Sequence, residues 1–105
     1  MAEKYNLKLS IEAEKDLQNI IMYIKEELKE PYIAEKYMYL MKREIKTLEY
    51  NPRRYAIIDN KKIKDLRIRK LIIKNYIAFY RVNDEKNIVT VERILYGASN
   101  WMNEL

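Results

Sequence analysis

The chain has 105 residues, 35% of them charged and 49% hydrophobic, with a formal net charge of +5. It holds no cysteine and no histidine, which excludes disulfide frameworks, thiolate nucleophiles, imidazole general bases and the zinc sites built from those ligands. No apolar stretch approaches the roughly 20 residues that cross a bilayer, and the opening MAEKYNLKLS lacks the apolar run of a signal peptide. One cytoplasmic domain over residues 1–105, without membrane contact, is expected.

In chain order, Tyr5 to Ser10 alternates like a short strand, with Tyr5, Leu7 and Leu9 on one face. Ser10 stands where a helix N-cap belongs. After it Ala13, Leu17, Ile20, Ile21, Ile24 and Leu28 recur at helical spacing, so a helix is predicted over about 11–29. Pro31 is suited to begin a second helix, whose stripe is Ala34, Tyr37, Met38, Met41, Ile45 and Leu48 and whose stop is Asn51-Pro52. So short a connection requires the two helices to pack as an antiparallel hairpin.

Residues 53–65 show no clear period and read as a basic loop. Three strand-like runs follow at 66–73, 76–82 and 87–96, and the tail SNWMNEL suits a short helix capped by Ser99 or Asn100. The fold class is therefore α+β, in the order β-α-α-β-β-β, with a small, mainly antiparallel sheet on a helical hairpin. A two-residue turn at Lys74-Asn75 makes Ile73 and Tyr76 face the same way. That register predicts a core face of Leu66, Ile68, Ile72, Ile77 and Phe79, and an open face of Arg67, Arg69, Tyr76 and Tyr80. Both parities are apolar, so the second face needs a cover, either the tail with Trp101 or a separate chain.

The charge is uneven. Residues 1–50 are roughly neutral, and the basic excess, including Arg53, Arg54, Lys61, Lys62, Lys64, Arg67, Arg69, Lys70, Lys74 and Arg81, begins after Pro52. Cations interleaved with tyrosines suit a nucleic-acid surface, because the cations neutralise phosphate and the rings offer stacking faces. The candidates are Lys70, Tyr76, Tyr80, Arg81 and Arg93, together with Arg67, Arg69 and Tyr96. The same residues also suit edge protection and half-buried packing. Glu92, inside a strand run, has Arg93 or Arg67 as its candidate ion-pair partner, and Glu12, Glu14 and Asp16 suit the positive end of the first helix. There is no phosphate loop, no dinucleotide fingerprint and no metal-ligand spacing, so no cofactor or metal is expected.

The stretches LSIEAEKDLQNIIMYI (9–24), AEKYMYLMKREIKTLEYNPRRY (34–55), DLRIRKLIIKNYIAFYRV (65–82) and IVTVERILYG (88–97) together resemble the RelE/ParE toxins of bacterial type II toxin-antitoxin modules. The long helical hairpin leans towards the ParE side. The resemblance implies a compact α+β fold, growth arrest by the free protein, and a cognate acidic antitoxin that wraps it.

For RelE-like members the resemblance implies a ribosome-dependent mRNA endoribonuclease that works without metal. Arg67 and Arg69 then hold and neutralise the phosphate, and Tyr96 serves as an acid/base or stacking group. This nuclease reading is the leading expectation. For ParE-like members the resemblance implies non-enzymatic inhibition of DNA gyrase. A weakened toxin that mainly binds its antitoxin is the third reading. Two departures from the nuclease pattern bear on the choice: Ile77 follows Tyr76 where nuclease members often have arginine, and Ala98-Ser99 replaces a basic pair after Gly97, the only glycine.

Overall fold

The computed structural model describes residues 3–105. Strand β1 (Asn6–Leu9) leads into helix α1 (Ile11–Met22). The Ser10 hydroxyl accepts the Ala13 N–H at 3.0 Å and donates to the Glu92 carbonyl at 2.7 Å, so the expected cap also ties the helix to the sheet. The last part of the predicted helix widens into a π turn, Tyr23–Glu27, and the chain reverses through Lys29 in the left-handed region (φ 54). Helix α2 (Pro31–Lys46) starts on its proline and tightens into a 3-10 turn, Thr47–Glu49. The Arg54 guanidinium then donates to the carbonyls of Thr47, Tyr50 and Asn51 and to the Thr47 hydroxyl, fastening together the 3-10 turn and the residues that follow it.

Three antiparallel strands follow: β2 (Arg69–Ile73), β3 (Tyr76–Asn83) and β4 (Ile88–Tyr96). The sheet order is β1-β4-β3-β2, with β1 parallel to β4. The fold is thus the expected α+β arrangement, a four-stranded sheet with the helical hairpin on one face.

The Lys74-Asn75 turn sets the register, with Ile73 opposite Tyr76 and Arg69 opposite Tyr80. The expected assignment of faces is corrected. The hairpin covers the parity of Leu71, Ile73, Ala78 and Tyr80, which form the main core with Ala13, Leu17, Met41, Ile45, Leu48, Val89, Val91 and Ile94. Of the set expected there, Ile68, Ile77 and Phe79 belong to a smaller cluster on the opposite face, covered by Ile58, Leu95, Trp101 and Leu105. Ile72 is 62% exposed, and Leu66 lies outside any strand in the 3-10 turn Lys64–Leu66. Periodicity grouped the residues by parity correctly but could not say which parity meets the helices. Tyr80 misled because its ring is core while its hydroxyl finds a carbonyl.

The spacing Val89, Val91, Ile94 departs from strict alternation because β4 carries a bulge. Phe79 pairs with Arg93 and Tyr80 with Val91, leaving Glu92 as the extra residue. The tail forms a 3-10 turn, Trp101–Glu104, without a side-chain cap from Asn100; the Ser99 hydroxyl instead donates to the Tyr96 carbonyl. The Trp101 ring sits 5.0 Å from Phe79 and covers the second face, as one of the two expected covers would. Gly97 sits at a close approach. Its N–H donates to the Asn75 carbonyl at 2.7 Å, and an added Cβ would lie 3.2 Å from that same oxygen.

Candidate functional site

Where the π turn of α1, the start of α2 and the β2–β3 turn meet, the surface opens into a groove of about 650 Å³. Its walls include Ile20, Tyr23, Leu28, Ile33, Tyr37, Tyr76 and Tyr96, with Asn19 and Asn75 as its other polar members. Among the described residues no charged side chain lines it, although more than a third of the chain is charged. The Tyr37 and Tyr76 rings meet edge to face at 6.0 Å, and Tyr76 meets Tyr96 at 5.7 Å. Burial, and then the neighbouring Tyr37, Tyr23 and Tyr96, push the Tyr76 hydroxyl above its ordinary 10.0, so it stays protonated at neutral pH. Tyr23, Leu28 and Tyr96 are each about half exposed. The groove offers neutral aromatic and aliphatic surface with a few hydrogen-bonding groups.

The residues expected to carry nuclease chemistry are dispersed. Arg67 is exposed, but it is not a strand residue as expected; it ends the 3-10 turn in the left-handed region (φ 55). Arg69 begins β2, and its guanidinium donates to the Tyr55 carbonyl at 2.5 Å and the Arg53 carbonyl at 3.3 Å, bracing the loop before the strand. Tyr96 pairs across the sheet with Tyr76, at the far end of β3 from the Arg69–Tyr80 pair. Tyr76 and Tyr80 are four residue steps apart along β3, about 13 Å.

The expected nucleic-acid contacts divide in the same way. Tyr76 lines the groove. Tyr80 is fully buried and is corrected from a stacking surface to a core residue. Its hydroxyl donates to the Pro52 carbonyl, and burial pushes it up to about 12 despite the opposing influence of Arg69 and Arg54. Lys70 lies on the opposite face, 5.7 Å from the Trp101 ring, and Arg81 is exposed at the mouth of a cleft shared with Glu92.

Arg93 is also corrected. It makes a two-pronged pair with Asp16, Nε to Oδ2 at 2.8 Å and Nη2 to Oδ1 at 3.0 Å, with Glu104 a further 3.4 Å contact. These contacts raise its pKa. Asp16 also accepts the Ile94 N–H at 2.9 Å, so it seals the edge of β4 where β1 has ended. The expected pairing of Glu92 with Arg93 or Arg67 does not form, because Asp16 reaches Arg93 from α1.

Tyr23 was not singled out from the sequence, and Tyr37 was read only as core. Both stand near the hairpin's reversal, and a short helix-helix connection places the end of one helix beside the start of the next. That topology was a usable signal.

A family model described as the ParE toxin of type II toxin-antitoxin system, parDE, matches residues 7–101. Among solved structures, the chromosomal ParDE system from P. aeruginosa superposes with a TM-score of 0.71 at 21% identity, covering 89% of this chain and 96% of that one. The RelBE2 toxin-antitoxin complex from Mycobacterium tuberculosis gives 0.62 at 18%, covering 92% and 95%. The archaeal RelE-RelB complex from Pyrococcus horikoshii OT3 gives 0.62 at 16%, covering 90% and 97%. Among curated proteins, none matches this chain in sequence.

Proposed function

The chain belongs to the ParE toxin family of type II toxin-antitoxin systems, and from that premise we propose that it arrests growth by binding DNA gyrase, not by cutting mRNA. One observation carries this choice against the nuclease reading that the sequence favoured. Of the two arginines matched to phosphate chemistry, Arg69 is committed to loop carbonyls and Arg67 stands apart at the end of a 3-10 turn; Arg93, a candidate nucleic-acid contact, is committed to Asp16, and Tyr96 lines a groove without any charged wall among the described residues. Metal-free phosphodiester cleavage needs cations gathered about one phosphate. Arg67 and Lys70 are exposed but sit at different places on the surface.

A cognate antitoxin is the second part of the proposal. An exposed aromatic groove is a liability for a free protein and a natural seat for an amphipathic helix. The basic residues after Pro52 give acidic antitoxin residues their counterparts. The solved neighbours are themselves toxin-antitoxin systems or complexes, which supports a partner of this class.

A supercoiling assay with purified protein tests the reading. Gyrase activity is expected to fall at micromolar protein and to recover when the antitoxin encoded beside the toxin is added. Unchanged supercoiling, together with strong growth arrest on induction, would overturn the choice of gyrase as target. Induction that leaves growth unaffected would favour the weakened-toxin reading motivated by Ala98-Ser99.

A further inference from the structure

Helix α2 carries Tyr32, Lys36, Tyr39, Arg43 and Lys46 on the side turned away from the core, and all five are exposed. Their spacing alternates four and three residues, which lays them in one straight stripe about 21 Å long at 1.5 Å per residue. The Lys36 ammonium lies 4.6 Å from the Tyr32 ring centre, and the Arg43 guanidinium 5.7 Å from that of Tyr39. The stripe is thus two ring-cation units in line, followed by a third cation. Tyr32 and Tyr39 are 65% and 67% exposed, an unusual amount of aromatic surface to leave in water on an otherwise charged helix face. Acidic groups beside it are few: Glu35 on one flank, and Glu44 with its carboxylate 3.8 Å from Arg43.

We propose that this stripe is a docking surface for an acidic amphipathic helix of a protein partner, separate from the groove. The occupant follows from charge and period. Three cations in line call for carboxylates, and the two rings call for apolar side chains between them. Another helix reproduces this alternation along its own length. A nucleic acid is the weaker match, because Glu35 and Glu44 dilute the charge here while the chain's basic excess lies after Pro52. Ile33 and Tyr37, the α2 wall of the groove, lie roughly 100° and 140° around the helix axis from the midline of the stripe, so the groove opens on a different side of α2.

The probe is a synthetic four-heptad helical peptide with leucine and glutamate along one face, titrated against the full chain. A peptide with lysine in place of glutamate and a duplex DNA serve as comparisons. The glutamate peptide is expected to bind in the micromolar range. The double variant K36E/R43E should weaken it by roughly tenfold or more and take up the lysine peptide instead. Tyr32→Ala with Tyr39→Ala should weaken it as well. All four positions are exposed, and a thermal melt checks that the variants stay folded. No binding of the glutamate peptide, or binding unchanged in K36E/R43E, would overturn the proposal. So would tighter binding of the DNA that the same substitutions abolish.

Discussion

At the scale of single residues, two polar groups in this protein hold the fold and leave no freedom for chemistry. Asp16 accepts from Arg93 twice and from the Ile94 backbone once, with only 13% of its side chain exposed. Asp16→Ala strands a partly buried guanidinium and an edge amide, and should cost about 3 kcal/mol in urea unfolding. A loss near zero would mean that the pair is solvated and that Arg93 is available to a ligand. Tyr80 donates to Pro52 from the centre of the core. Tyr80→Phe should cost about 1 kcal/mol at neutral pH, because the carbonyl loses its donor. Burial holds the Tyr80 hydroxyl up to about 12 against an ordinary 10.0, so the folded chain keeps its proton more tightly than the unfolded one. The stability from this difference is fully present below pH 10 and lost as pH rises through about 12. The wild-type advantage over Tyr80→Phe should therefore shrink across that window, and an advantage that stays constant would contradict the assignment.

At the scale of elements, the end of α2 depends on a distant side chain. Arg54 donates to three carbonyls and a hydroxyl of the 47–51 segment that directly follows α2. Arg54→Ala should lower stability by about 1 kcal/mol, with amide exchange accelerated first at the end of that helix. Equal exchange in the two proteins would assign the cap to the 3-10 turn alone. Both helices were legible in the sequence, through the Ser10 cap, the Pro31 start and the apolar stripes, because these signals are local. The strand pairing at Lys74-Asn75 was legible for the same reason. Three features were not. The bulge at Glu92 shifts the β4 alternation, and only the partner strand reveals it. The left-handed turn at Arg67 shortens a run that composition marks as strand. The covered face of the sheet depends on where the hairpin lands, which no residue within the strands encodes.

At the scale of the whole molecule, a hairpin and a tail cover opposite faces of one sheet, and an uncharged groove lies where the hairpin reverses. The element order was legible from local periodicity, caps and turns, and the family from the order of four motifs. The candidate site was legible only in part. Tyr76 and Tyr96 were picked out, but as members of a cationic cluster, whereas packing makes them walls of an uncharged groove with Tyr23 and Tyr37. Sequence marks residue types and cannot show that Arg69 and Arg93 have partners in their own chain. If the groove is where a partner docks, Tyr23→Glu should weaken antitoxin binding by tenfold or more with little change in melting temperature, since Tyr23 is half exposed. Undiminished affinity in calorimetry would place the antitoxin elsewhere.

The central claim is that this toxin acts by binding and not by chemistry at Tyr96. Induction of the wild type and of Tyr96→Phe, with growth followed and transcript 5′ ends mapped in the same cultures, tests it most directly. The substitution removes the hydroxyl and keeps the ring in the groove. Binding predicts growth arrest by both proteins with no new 5′ ends in either. New 5′ ends with the wild type that vanish in Tyr96→Phe, together with restored growth, would contradict it.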